Sequence, residues 1–190
     1  DGVARAHSVD PALTVTTSIR DGYASQALVD AARTAALVVV GAMGHGVLSR
    51  ASVGAVAMQV VTHARCPVLV VGHERAQAPD AATVVVGVDG SKPSLRALVA
   101  AFDEAARRGR TLRVVHAWEP RSASDPTLSS ESSWSTYEAE LQRTLETSLA
   151  TRRAEHPDVV VDSVVVTGEP VQALLDNAAD AELLVVGSRG

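Results

Sequence analysis

The chain repeats itself, and the repeat limits what it can fold into. Shifting the sequence by 146 positions lays residues 13–44 on residues 159–190 without a gap. Gly41 then falls on Gly187, Gly44 on Gly190, Gly22 on Gly168 and Asp30 on Asp176. The runs Gln26-Ala27-Leu28 and Gln172-Ala173-Leu174 coincide, as do Leu37-Val38-Val39-Val40 and Leu183-Leu184-Val185-Val186. Glycines recurring at identical spacing indicate one domain type present twice. Val84-Val85-Val86-Gly87-Val88-Asp89 reads as the opening strand of the second copy, and its counterpart in the first copy would lie ahead of residue 1. The counterpart of 45–72 would lie beyond Gly190, and the chain starts at Asp1 without an initiator methionine. The expected organisation is two incomplete copies. Residues 1–72 form the C-terminal part of a first domain, and 73–82 form an Ala-rich, polar linker. Residues 83–190 form the N-terminal part of a second domain.

Within each copy, short apolar runs alternate with segments of helical spacing, which predicts an α/β fold with a parallel open sheet. Residues 37–40, 68–71 and 83–88 are continuous apolar runs, as expected for strands covered on both faces. Residues 13–19, 112–118, 159–166 and 183–186 are the other predicted strands. Helices are expected at 24–33, 52–62, 93–108, 138–153 and 170–178. Ser91 is placed to cap the third of these, and Gly109 to stop it. The serine-rich stretch 121–136 reads as a loop.

Composition excludes several classes. A net charge of −5 offers no footprint for nucleic acid or an anionic membrane surface. Arg107, Arg108 and Arg110 cluster where a helix ends, a position that favours cations in any case. The single cysteine, Cys66, has no partner for an internal disulfide and sits in an apolar run. No apolar run approaches the roughly 20 residues of a membrane-spanning helix, and no signal peptide is visible. A cytoplasmic protein is the expectation.

Ligands of open α/β sheets bind outside the carboxyl ends of the strands. Three features fall there. Gly41-Ala42-Met43-Gly44 comes just after a buried strand, and after nine intervening residues Gly54-Ala55 opens a helix. Glycines let a backbone approach phosphate closely, and the free N–H groups of a helix start attract anions. Gly187-Ser188-Arg189-Gly190 repeats the first half of that pattern. Asp89 closes the opening strand of the second copy, and His116-Ala117 the strand after it. Each has a plainer reading: the glycines as tight turns, Asp89 as the first residue of an Asx turn, and His63 and His116 as structural. His45, inside the glycine loop, reads better as a solvent-exposed residue than as a phosphate contact. Lys92 is the only lysine, and no Gly-Lys-Ser/Thr, zinc spacing or Ser–His–Asp order is present.

The glycine spacing, the tail Val60-Val61-Thr62-His63-Ala64-Arg65-Cys66-Pro67-Val68-Leu69-Val70-Val71 and the opening Val86-Gly87-Val88-Asp89-Gly90-Ser91 resemble the universal stress protein family. The resemblance covers all but the linker and the serine-rich stretch. It implies a tandem protein of Rossmann-like, adenine nucleotide alpha hydrolase-like domains, each with a five-stranded parallel sheet. It implies ATP as ligand, with Mg accompanying it, and pairing through the last strand, either intramolecularly or in a homodimer. On that basis Asp89 would contact adenosine and Ala117 would lie beside adenine. Gly41, Gly44 and Gly54 would form the ribose–phosphate loop of the first domain, and Gly187 and Gly190 that of the second. Ala55 departs from the pattern, which places serine or threonine after the last glycine. The lost hydroxyl removes about 0.5–1.5 kcal/mol for a neutral hydrogen bond, or about 1.5–3 kcal/mol to a charged oxygen.

The expected function is adenine-nucleotide binding or sensing in a stress response, without enzymatic turnover beyond weak ATP hydrolysis. The alternative is a non-nucleotide interaction and dimerisation module of the same fold, which Ala55 favours for the first domain. A third reading, an adenylating enzyme or electron-transfer flavoprotein relative on the same superfamily fold, is disfavoured because the sequence lacks the pyrophosphate-splitting signatures.

Overall fold

Strands written as unbroken valine runs need cover on both faces, and helices between parallel strands supply it. The computed structural model describes residues 2–42, 53–72, 82–119 and 131–188, the side chains of 131–133 excepted. The chain divides into two units, Asp1–His73 and Glu74–Gly190.

The first unit contains α1 (Gly2–Val9), α2 (Ala24–Ala31), β1 (Val38–Gly41), α3 (Ala55–His63) and β2 (Val68–Val71). β1 and β2 pair in parallel, with Val38 opposite Val68 and Gly41 opposite Val71. Ala32, Val38, Val40, Ala57 and Val60 form the core between strands and helices. α1 has no buried residue and was not expected from the sequence.

The predicted strand at 13–19 is absent, and Ile19 there is 99% exposed. Its repeat counterpart does form a strand, in the second unit, because another strand lies there to pair with it. The first unit contains no such neighbour among the described residues. Weak alternation therefore yields a strand only where a ladder partner exists.

The second unit runs β3 (Thr83–Gly87), α4 (Lys92–Arg108), β4 (Thr111–Trp118), α5 (Glu131–Glu155), β5 (Val161–Thr167), α6 (Pro170–Asn177) and β6 (Leu183–Val185). All pairings are parallel, in the order β5-β4-β3-β6. The described residues thus form sheets of two and four strands where the resemblance implied five per domain. Alternation along β3 and β4 sorts the core. Val84, Val86, Leu112 and Val114 meet Leu98, Phe102 and Ala105 of α4 and Leu145 and Leu149 of α5. Val85 and Val115 face the other way, onto Leu174 of α6, Ala178 and Ala181.

The helix boundaries reflect local chemistry. Ser91 Oγ accepts the Ser94 N–H (3.3 Å) at the start of α4, and Gly109 ends it in the left-handed region at φ 62°. Glu169 caps α6 by accepting the N–H groups of Val171 (3.0 Å) and Gln172 (2.8 Å). Gly22 and Gly168, matched by the repeat, both have positive φ, 103° and 143°, which L side chains rarely adopt. α5 begins at Glu131, so residues 131–136 are helical where a loop was predicted. Trp134 and Tyr137 of this first part pack on Trp118, a tertiary contact that outweighs the serine-rich composition.

At the sheet edge, α5 also covers β5. Gln142 donates to the Ser163 carbonyl (3.3 Å) and hydroxyl (2.9 Å), and Arg153 to the Val161 carbonyl (3.4 Å). No helix among the described residues is long and apolar enough to cross a membrane.

Candidate functional site

In the second unit the chain leaves β3 toward β4 and β5, then returns to add β6 on the opposite side of β3. The switch point of the sheet therefore lies between β3 and β6, where open α/β sheets form their ligand crevice. Asp89 lies just past β3 and Gly187 just past β6, so both stand at this point.

Around Asp89 the loop is held by hydrogen bonds among Asp89, Ser91 and Ser94. The Ser91 N–H donates to Asp89 Oδ1 (2.9 Å), and the Asp89 N–H donates to Ser94 Oγ (3.3 Å). The Ser94 hydroxyl in turn donates to the Ser91 carbonyl (3.0 Å), and Ser94 is 5% exposed. The hydroxyls of Ser91 and Ser94 and the Ser91 N–H stabilise the carboxylate and lower the Asp89 pKa from 3.8 to about 2, against a smaller opposing effect of burial. Asp89 thus makes an Asx turn and also presents an exposed, ionised carboxylate at the crevice. The Asx-turn reading of this residue describes what is present.

Gly187 packs against the start of α4. A Cβ there would lie 3.0 Å from the Pro93 carbonyl carbon and 3.1 Å from the Ser94 nitrogen. Close approach of strand end and helix start requires glycine at this position. Gly190 lies outside the described residues.

His116 Nδ1 is 2.8 Å from the Val88 carbonyl. A carbonyl only accepts, so Nδ1 carries the proton, and the ring ties the carboxyl end of β4 to that of β3. Ala117 is half-buried near the end of β4, with Val166 of β5 as its ladder partner. One residue on, Trp118 packs on Tyr137 (ring centroids 5.0 Å, edge-on) and Trp134 (6.1 Å). Its buried Nε1 has no hydrogen-bond partner among the described residues. The sequence reading passed over Ser94 and Trp118. The Ser91-x-x-Ser94 spacing resembles a capping box and could have flagged the first. Nothing in the sequence marked the second.

In the first unit the loop ends meet. The Ala42 N–H donates to the Val71 carbonyl (2.8 Å), and the Gly54 N–H donates to the Ala42 carbonyl (2.6 Å). The carboxyl ends of β1 and β2 thereby converge on the start of α3, with Gly41 and Gly54 on the same side. Gly54 is the N-cap of α3 and has no side chain to cap it, so the cap residue itself offers the N–H groups of the first turn no side-chain acceptor. Gly41 and Ala55 are exposed, and Gly54 is half-buried. Gly44 and His45 lie outside the described residues. His63 Nδ1 is 2.9 Å from the Gln59 carbonyl one helical turn back.

Each unit offers its own groups: the first a helix start beside glycines, of the kind that favours an anion, and the second an exposed, ionised carboxylate at Asp89. Among the described residues no group of three or more His, Cys, Asp or Glu could hold a metal ion.

The model of the universal stress protein family matches residues 2–72 and 81–190. The chain belongs to the universal stress protein family. It is 39% identical over 188 residues to universal stress protein Rv1996 of Mycobacterium tuberculosis, covering 97% of this chain and 59% of that protein. With universal stress protein Rv2005c of the same organism it shares 40% identity over 166 residues, 86% of this chain and 55% of that one. The chain therefore spans little more than half the length of these universal stress proteins. A crystal structure of a universal stress protein from Archaeoglobus fulgidus superposes with a TM-score of 0.60 at 19% identity, covering 87% of this chain and 55% of that one. That likeness concerns the fold, an α/β arrangement with parallel open sheets.

Proposed function

We propose that the protein binds an adenine nucleotide, ATP, at the carboxyl ends of its strands and acts as a cytoplasmic sensor in a stress response. The observation that carries this reading is the closure of the first unit's glycine loop by the 2.6 Å bond from the Gly54 N–H to the Ala42 carbonyl. It sets glycine-flanked backbone and the uncapped start of α3 side by side, as an anionic guest requires. Asp89 and Gly187 mark a second site, in the other unit, where the carboxylate would serve the nucleoside end and keep away from phosphate. No residue set is assigned to turnover, and hydrolysis is at most slow. Titration calorimetry of the chain with ATP and Mg tests the reading. Binding in the micromolar range is expected, and no heat at millimolar ATP would end it.

A second reading has its own observation. Ala55 lacks the hydroxyl a phosphate would use, and β2 is an apolar edge strand with Val71 51% exposed. Such an edge is covered by pairing. On this reading the first unit is a pairing module whose last strand joins that of another domain of the same type, whatever the second unit binds.

A further inference from the structure

Trp118 is 9% exposed, yet its indole N–H meets no acceptor. Buried donors in folded proteins are paired almost without exception, so an orphan calls for a reason. Size alone does not supply one, because an apolar ring fills such a space without the cost of a desolvated donor. Its neighbours do not relieve it. The indole of Trp134 only donates, and Tyr137 meets Trp118 ring edge to ring without hydrogen-bonding to Nε1. Both tryptophans of the chain and one of its two tyrosines are gathered here.

The location supplies the reason. Trp118 is the last residue of β4, next to Ala117. His116, on the same face of the strand, is bonded to the Val88 carbonyl just ahead of Asp89. The residue that carries the orphan donor therefore closes β4 at its carboxyl end, the end of this sheet where ligands sit, and its ring lies against the start of α5.

We propose that Trp118 is a ligand-contacting residue whose N–H donates to a ring nitrogen or carbonyl oxygen of a flat heterocycle seated at the end of β4. The inference rests on the nucleotide reading of the second unit and adds to it the residue that receives the base. Nε1 is shielded in the unliganded chain, so Trp134 and Tyr137 shift as the heterocycle enters. Ligand entry thereby reaches the start of α5.

The test separates the N–H from the bulk of the ring. Trp118→3-benzothienylalanine keeps the bicyclic shape and removes only the donor, and Trp118→Phe serves as a smaller control. Adenosine and ATP are titrated by calorimetry and by selectively excited tryptophan fluorescence, since both tryptophans lie in this cluster. Without ligand, the benzothienyl variant should melt about 2–4 °C higher than the natural chain, because the orphan is gone. Its affinity for adenosine and for ATP should fall by an equal factor, roughly tenfold, since the phosphates lie elsewhere. Unchanged adenosine affinity, or a lower melting temperature, overturns the role of Trp118 and leaves the nucleotide reading standing. A natural chain that binds neither probe removes both.

Discussion

Val40 and Val186 occupy the same place in the repeat, yet Val40 is 9% exposed and Val186 is 54% exposed. The difference lies in the elements that cover each. Val40 is covered by Ala57 and Val60 of α3 and by the neighbouring strand β2. β6 has β3 on one side, and no counterpart of α3 and β2 occurs among the described residues of the second unit. The reverse holds one position earlier. Val39 is 56% exposed, whereas its counterpart Val185 packs on the core that α4 shares with β3. Among the described residues, each unit carries the cover that the other is without.

This asymmetry predicts unequal costs for equal substitutions. Val40→Ala should destabilise the first unit by about 2 kcal/mol, and Val186→Ala should change the second by no more than about 0.5 kcal/mol. Urea unfolding of the two variants reads the difference. Appending a copy of residues 45–72 after Gly190 should raise the cost of Val186→Ala to that of Val40→Ala.

Two glycines of the second unit should respond differently to a methyl group. A Cβ at Gly187 meets the backbone of Pro93 and Ser94 at 3.0–3.1 Å, which cannot yield without moving α4. Gly187→Ala should cost roughly 1–3 kcal/mol. A Cβ at Gly87 meets only the side chain of Leu174, its methyl groups at 2.9 Å, and these can rotate away. Gly87→Ala should lower the melting temperature less than Gly187→Ala does.

The Asp89 carboxylate has a lower pKa folded, about 2, than its ordinary 3.8. Its contribution is therefore complete above the ordinary value and fades as pH falls from 3.8 toward 2. Asp89→Asn should remove that part of the acid sensitivity and leave the profile above about pH 5 unchanged in shape. The group is exposed, so the effect is small, and NMR titration of the carboxyl carbon is the direct measurement.

Ala55→Ser restores a hydroxyl to the first turn of α3. If phosphate binds there, affinity for ATP should rise roughly threefold or more in calorimetry. An unchanged affinity would favour the pairing reading of the first unit.

Loss of the cap at Ser91 should be felt along the whole of α4. Ser91→Ala should cost about 1 kcal/mol by leaving the Ser94 N–H without its acceptor. The same substitution should bring the Asp89 pKa back toward 3.8, because the Ser91 hydroxyl contributes most to lowering it.

Much of the fold could be read from the chain because its signals are local. The valine runs at β1, β2, β3 and β6, Ser91 before α4, and Gly109 after it each act within a few residues. What escaped depends on partners distant in sequence. Residues 13–19 carry the same weak alternation as β5 and lack a strand to join. Residues 131–136 are helical because Trp134 reaches Trp118 across the second unit. For the candidate site, Asp89 and the glycines could be picked out by residue type and spacing. The packing reason for Gly187 and the unpaired indole of Trp118 exist only once α4 and α5 are folded against the strands.

The α5 side chains lying along β5 set a direction for growth. With the Val161 and Ser163 carbonyls already taken by Arg153 and Gln142, that flank offers an incoming strand few free acceptors. Within this sheet, a further strand is accepted more readily on the β6 flank. The sheet of the second unit is thereby polarised, one flank kept for its own helix and the other left to neighbours.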